Sequence, residues 1–284
     1  MKRARKLCVA LAIGAIAVAT APSAAWAGDA QPEAINYVAM GDSFASGAGA
    51  GNYADVAEVA PTSWKGGDCL QSANGYSPLL AAELGATLDF QSCSGAQTAD
   101  IHADQLGTIS AATDLITLSV GGNDVGFADV IQTCTFNGTA TCTSKVTEAE
   151  NKARSVLPGR LGTLYSAIKQ KAPNAQVIVL GYPQLFIGKT CFGNTGVNLD
   201  EQARINQANY VLNGIIKTAA TSAGFTYVDT MPPFVGKGVC ASGAWINGLK
   251  FNLAEAYHPN GNGHRLGYLP LILAKVNQLS LTTA

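Results

Sequence analysis

The chain is expected to fold as an α/β domain around a parallel β-sheet. Three features predict this: short apolar runs rich in Ile, Val and Leu, helix-like stretches alternating with them, and turn residues gathered where the runs end. Ile35–Met40 reads as the first strand and Thr87–Gln91 as a weaker second. Asp114–Val120 (DLITLSV) and Gln176–Gly181 (QVIVLG) are near-continuous apolar runs of the kind buried on both faces. Phe225–Asp229 is the fifth strand.

Helices are expected at about Ser77–Leu84, Ala99–Leu106, Glu148–Lys171 and Leu199–Ala223. The last would turn Glu201, Gln202, Arg204 and Lys217 to solvent and Ile205, Leu212, Ile215 and Ile216 inward. Gly263–Leu279 is a final helix interrupted by Pro270. Three long loops, Ala48–Gly75, Val125–Thr147 and Tyr182–Asn198, complete the domain; loops of this length are functional or stapled.

The first 27 residues stand apart. Lys2, Arg3, Arg5 and Lys6 precede an apolar run from Leu7 to about Ala21, and Ala25-Trp26-Ala27 follows. This is the pattern of a secretory signal peptide, and the run is too short to span a bilayer comfortably. Cleavage after Ala27 would leave residues 28–284 as a single domain of a secreted protein without stable membrane insertion. That portion carries 14 Lys+Arg (18 less four) against 19 Asp+Glu, a formal charge of −5. No basic patch stands out, so nucleic acid is not an expected partner. With 48% hydrophobic and 13% charged residues, the chain has enough apolar surface to bury a core.

Cys8 leaves with the leader, and Cys69, Cys93, Cys134, Cys142, Cys191 and Cys240 remain. An even count in an exported chain reads as three disulfides. Of the fifteen connectivities, the sequential one is favoured because each neighbouring pair brackets one loop region. No CxxC or HxxxH spacing is present, so no metal is expected.

Sites in α/β sheets form beyond the carboxyl ends of the strands. There the first strand ends in Gly41-Asp42-Ser43-Phe44, the second in Cys93-Ser94-Gly95 and the third in Gly121-Gly122-Asn123-Asp124; Glu255-Ala256-Tyr257-His258-Pro259 lies far downstream. A serine hydroxyl is a weak nucleophile and needs a base within hydrogen-bond reach. Histidine suits that role because its pKa lies near working pH. Of the three histidines, His102 falls in a helix and reads as structural, His264 reads as a surface or capping residue, and His258 remains as the base of Ser43. The N–H groups of Ser43 and Gly95 and the amide of Asn123 are candidate oxyanion donors. Taken singly, Gly95 and Asn123 are turn residues and Ser43 a helix cap. Their occurrence together, at successive strand ends, makes the hydrolytic reading.

These four blocks resemble those of the SGNH, or GDSL-type, serine hydrolases: Ser43 in the first, Gly95 in the second, Asn123 in the third and His258 in the fourth. They span Gly41 to Pro259. The resemblance implies a flavodoxin-like three-layer α/β/α sandwich with a five-stranded parallel sheet in the order 2-1-3-4-5. It also implies cofactor-free and metal-free ester hydrolysis through an acyl-enzyme. Cys93-Ser94-Gly95-Ala96, the cysteine count and Trp245-Ile246-Asn247 are similar to the secreted actinobacterial esterases, lipases and phospholipases of that class, which also pair their cysteines sequentially. Two departures stand out. Phe44 replaces the usual leucine, and Glu255 occupies the place of the usual aspartate, where it would orient His258 unless a main-chain carbonyl does so.

The expected partner is a small-molecule or lipid ester, and the expected state a monomer. Loop aromatics Phe127, Phe136, Phe186 and Phe192, with Ile187, lean toward acyl chains. A carbohydrate O-acetyl esterase shares the same motifs, and a secreted non-catalytic adhesive protein is the alternative outside the enzymes. Gly47-Ala48-Gly49-Ala50-Gly51 invites a nucleotide-binding reading, but its glycines come several residues past the strand end.

Overall fold

The computed structural model describes residues 34–53, 69–191 and 196–279. The proposed leader, Cys8 and Phe192 lie outside them. Five strands, β1 (Asn36–Gly41), β2 (Thr87–Phe90), β3 (Leu115–Ser119), β4 (Gln176–Leu180) and β5 (Thr226–Val228), form one sheet in the order β2-β1-β3-β4-β5. All four pairings are parallel. The three central strands are the most apolar and the most deeply buried: every residue of β3 is buried, and every residue after the first in β1 and β4. A parallel sheet covered by helices on both faces requires this. Thr117, polar and fully buried in β3, is satisfied by the Tyr37 hydroxyl at 2.6 Å.

The helices that frame the sheet and the site are α1 (Ser43–Ser46), α2 (Tyr76–Leu84), α3 (Gly122–Val125), α4 (Phe127–Phe136), α5 (Thr139–Ser155), α6 (Leu157–Lys171), α7 (Leu199–Ser222) and α8 (Leu269–Gln278). Helices α4 to α7 pack against one another, and α8 packs with α2. The result is the expected α/β/α sandwich. Helix α7 starts with a capping box, Asn198 and Glu201 each accepting the other's backbone N–H, at 3.1 and 2.9 Å. A two-pronged ion pair from Arg204 to Glu150, at 2.7 and 2.9 Å, joins α7 to α5.

Several local expectations are corrected. The stretch 148–171 is two helices, broken at Val156: Pro158 has no N–H to give to Arg154, and its ring crowds that carbonyl. Most of Val125–Thr147 is helix rather than loop. The Thr-rich start of α5 has weak helix propensity, and packing on α7 overrides it. Glu201 and Gln202 are buried rather than solvent-facing. Glu201 belongs to the capping box, and Gln202 donates to the carbonyls of Lys189 and Val197. Helix α8 begins at Leu269, one residue before Pro270, behind a π-helical turn, Gly263–Tyr268. The cysteines pair in sequence order, Cys69–Cys93, Cys134–Cys142 and Cys191–Cys240. No helix among the described residues is long and apolar enough to cross a membrane.

Candidate active site

The chain turns sharply where β1 ends. Gly41 sits at φ 135°, and a Cβ there would lie 2.4 Å from the Ser119 carbonyl oxygen, so only glycine fits. Gln105 holds both backbone groups of Gly41: its amide oxygen accepts from the N–H at 2.8 Å, and its amide nitrogen donates to the carbonyl at 3.0 Å. Asp42 then caps α1 by accepting from the Phe44 N–H at 3.0 Å, and Ser43 opens the helix.

The Ser43 hydroxyl lies 2.7 Å from His258 Nε2. The other ring nitrogen, Nδ1, lies 2.9 Å from the main-chain carbonyl of Ala256. A carbonyl only accepts, so Nδ1 carries the hydrogen. In the neutral ring Nε2 is therefore the acceptor for the serine proton. Burial pushes the His258 pKa down to about 4, against the opposing pull of the Ala256 carbonyl and the Glu255 charge. The ring is neutral at pH 7.

Glu255, expected to orient the imidazole, does not occupy that position. Its carboxylate takes Lys250 at 3.0 Å and Asn252 at 3.3 Å, and the Lys250 hydrogen bond holds it below its ordinary range. The intervening residue explains the substitution. Tyr257 is in the left-handed region at φ 59°, a conformation costing a non-glycine residue roughly 1–2 kcal/mol. This reverses the chain so that the Ala256 carbonyl faces the His258 ring. The fully buried Tyr257 side chain, its ring 5.7 Å from that of Phe186, anchors the turn.

Gly95 and Asn123 line the same cavity as Ser43 and His258, a pocket of about 320 Å³. Neither the Ser43 nor the Gly95 N–H meets an acceptor among the described residues. Asn123 gives one amide hydrogen to the Ala96 carbonyl at 3.0 Å, which orients its second. Asp124 ties the two donor-bearing turns together: it accepts from the N–H and hydroxyl of Thr98 at 3.0 and 2.6 Å, and from Arg160 at 3.0 Å. Tyr182, just past β4, bridges the Ser43 and Asn123 turns. Its hydroxyl donates to Asp42 at 2.5 Å and accepts from the Gly122 N–H at 2.8 Å. Burial pushes the Asp42 carboxyl up to about 7, opposed by those hydrogen bonds from Tyr182 and Phe44.

Three positioning side chains were not found from sequence: Gln105, Tyr182 and Asn247, whose amide donates to the Gly49 carbonyl at 2.9 Å; the carbonyl on Nδ1, expected as the alternative to Glu255, is that of Ala256. Tyr182 had a signal, since it stands at a strand's carboxyl end. The two other histidines stay out of the site. His102 is exposed. His264, expected as a surface or capping residue, is fully buried between Tyr76 and Tyr268, with Nδ1 accepting from the Tyr76 N–H, the first of α2, at 3.3 Å. Of the five loop residues expected near substrate, Phe127 and Phe136 line the pocket and Phe186 is buried core. No cluster of potential metal ligands occurs among the described residues.

Residues 39–266 match the model of the GDSL-like Lipase/Acylhydrolase family. Lipase 1 of Streptomyces coelicolor is 41% identical over 253 residues, covering 88% of this chain and 90% of that protein. A lipase of Streptomyces rimosus is 36% identical over 242 residues, covering 84% and 86%. Among solved structures, phospholipase A1 from Streptomyces albidoflavus NA297 superposes with a TM-score of 0.78 at 38% identity, covering 86% of this chain and all of that one. The extracellular lipase from Streptomyces rimosus gives 0.78 at 36% identity, covering 85% and 99%.

Proposed function

The chain belongs to the GDSL-like lipase/acylhydrolase family and is a serine ester hydrolase of the esterase/lipase type, and from that premise we propose that Ser43 is its nucleophile and His258 its base. The observation that carries this reading is the 2.7 Å contact from Ser43 Oγ to Nε2 of a neutral imidazole whose Nδ1–H is held by the Ala256 carbonyl.

His258 Nε2 takes the Ser43 proton as Oγ attacks the ester carbonyl carbon. The carbonyl π pair moves onto oxygen, where the N–H groups of Ser43 and Gly95 and the Asn123 amide receive it. When the tetrahedral centre collapses, the bond to the alcohol oxygen breaks and the imidazolium returns its proton to that oxygen. The acyl group stays on Ser43. Water then repeats the attack with His258 as base, releasing the acid and restoring the serine. Throughout, the Ala256 carbonyl keeps the proton on Nδ1 and stabilises the imidazolium, the part an acidic side chain takes in a triad.

The substrate reading is an ester with an apolar acyl chain. Phe127, Ile131, Phe136, Leu249 and Leu253 line the pocket, against Ser94, Gln132, Thr135 and Tyr257 as the polar side chains beyond the proposed machinery. Export with cleavage after Ala27 is supported by the leader pattern and by three disulfides. Mass spectrometry of protein recovered from culture medium should find Gly28 at its start; an intact N-terminus would overturn the cleavage.

The test of the nucleophile is covalent labelling. A fluorophosphonate should modify Ser43 stoichiometrically and abolish ester turnover. Ser43→Ala should fold, resist labelling and lose on the order of 10⁴–10⁶ in rate. Labelling elsewhere, or turnover retained by the variant, would remove Ser43 from this role.

A further inference from the structure

A second, smaller cavity lies behind the proposed acyl pocket. It measures about 50 Å³ and is walled by Val125, Val130, Val146, Ala149, Ile205 and Leu212, between α3 to α5 and α7. Two polar side chains reach its wall, and both are already engaged: Glu150 with Arg204 at 2.7 Å, and Asn209 with the Pro183 carbonyl at 2.7 Å. A cavity of this kind offers water few partners and accepts apolar groups.

Among the described residues, Phe127 alone lines both this cavity and the one containing Ser43. It follows Gly126, which is left-handed at φ 87°, so that α4 starts at an angle to α3 with Phe127 at its first position. Its ring stands edge-on to those of Phe44 and His258, at centroid distances of 6.0 and 6.5 Å. Phe127 is thus a partition beside the base, with a second, mostly apolar cavity on its other side.

We propose that Phe127 is the end wall of the acyl-binding pocket and sets the longest acyl chain the enzyme takes, and that the cavity behind it is a latent site for further methylenes. This inference rests on the acyl-ester reading of the pocket and adds which residue limits the chain. A side chain that merely fills core would have solid packing at its back. Here a second cavity lined mostly by apolar side chains lies beyond, so removing the ring extends the substrate pocket rather than only loosening it.

The experiment is a nitrophenyl ester series from acetate to long acyl chains, run on the full-length enzyme, Phe127→Ala and the double variant Phe127→Ala/Ala208→Leu. Ala208 lines the second cavity from α7 and takes no part in the proposed chemistry. Wild type should lose kcat/KM beyond a limiting chain length. Phe127→Ala should move that limit to longer chains, gaining about fourfold over wild type for each added methylene, the factor equivalent to ~0.8 kcal/mol per buried methylene. Ala208→Leu, by refilling the space, should take the gain back while turnover of short esters persists. Should Phe127→Ala not fold, Phe127→Leu, which keeps more of the packing, should give a smaller shift in the same direction. An unchanged chain-length profile in a folded Phe127 variant overturns the proposal alone, as does a shift that survives Ala208→Leu undiminished. Wild type confined to acetate overturns the acyl-chain reading and the proposal with it.

Discussion

Ser43 rides on a single helical turn at the end of β1, a strand buried from its second residue onward and flanked by β2 and β3. His258 rides on the stretch from Val235 to Asn260, which holds one 3-10 turn at Leu253–Glu255 and isolated bridges at Val239, Ile246 and Pro259. On the sheet side, position comes from the ladder, the Gln105 clamp on Gly41 and the Asp42–Tyr182–Gly122 bridge. On the loop side it comes from a patch of antiparallel pairing. Asn247 donates its N–H to the His258 carbonyl at 2.9 Å, and Asn260 donates its own to the Trp245 carbonyl at 2.9 Å. The Asn247 side chain then reaches across to the Gly49 carbonyl at 2.9 Å, in the loop that leaves α1. One amide therefore splices the serine side to the histidine side. A reaction centre needs both groups at one point, yet only one of them has to be built into the rigid part of the fold.

The contrast can be tested by breaking each side. On the sheet side, Asn123→Ala should cost on the order of 10²–10³ in kcat, the usual loss for one oxyanion donor, with little change in KM. Steady-state kinetics on a soluble nitrophenyl ester measures it. At the splice, Asn247→Ala should lower kcat by about tenfold, the order of one hydrogen bond. The Ser43 side should meanwhile still label with fluorophosphonate. A loss as large as that of Asn123→Ala would mean that the loop is no softer than the sheet.

Acidity probes the base directly. Nε2 must be unprotonated to accept the serine proton, and burial lowers the His258 pKa from 6.5 to about 4. Activity per folded molecule should therefore hold through pH 5 and fall as pH drops through about 4. The fold itself loses stability across that window. Unfolded imidazoles take up protons near pH 6.5, whereas buried His258 and His264 resist protonation to about 4 and about 3. Buried Asp42, raised to about 7, works the other way and offsets part of this, but the two histidines outweigh it, so stability declines as pH falls below 6.5, and acid-limb rates need correction by a folding probe such as near-UV circular dichroism. An acid limb near 6.5 in folded protein would contradict the buried, neutral base.

The smallest effect is expected at the residue the sequence favoured. Glu255→Ala should change kcat by less than about threefold, because its carboxylate pairs with Lys250 rather than with the imidazole. The stability cost should be about 1 kcal/mol or less, as for exposed ion pairs. A large fall in kcat would return Glu255 to the machinery.

The same division explains which residues could be read in advance. Gly41-Asp42-Ser43 and Gly121-Gly122-Asn123 announce themselves locally, as turn residues at the end of an apolar strand, whereas Gly95 follows the weaker β2 by five residues. The three central strands were legible because runs such as Leu115–Ser119 need burial on both faces, and that need is written in composition. Helix α5 was not, because its Thr-rich start is a weak helix former whose stability comes from packing on α7. Gln105 and Tyr182 were missed because each bonds a partner 64 or 140 residues away. Nothing in their own neighbourhoods marks that partnership.

The sequence by itself determined the sheet, the order in which chemical groups meet its carboxyl edge, and the pairing of a serine with a histidine. Those follow from local pattern and from the few residue types able to do the work. Tertiary structure decided the partner of Nδ1, since Glu255 and Ala256 are neighbours in the chain and differ only in which way the Tyr257 turn points them. It also decided the wall at Phe127, because a partition exists only when two cavities form on either side of it. Both outcomes depend on how distant segments pack, a property that no short stretch of sequence contains.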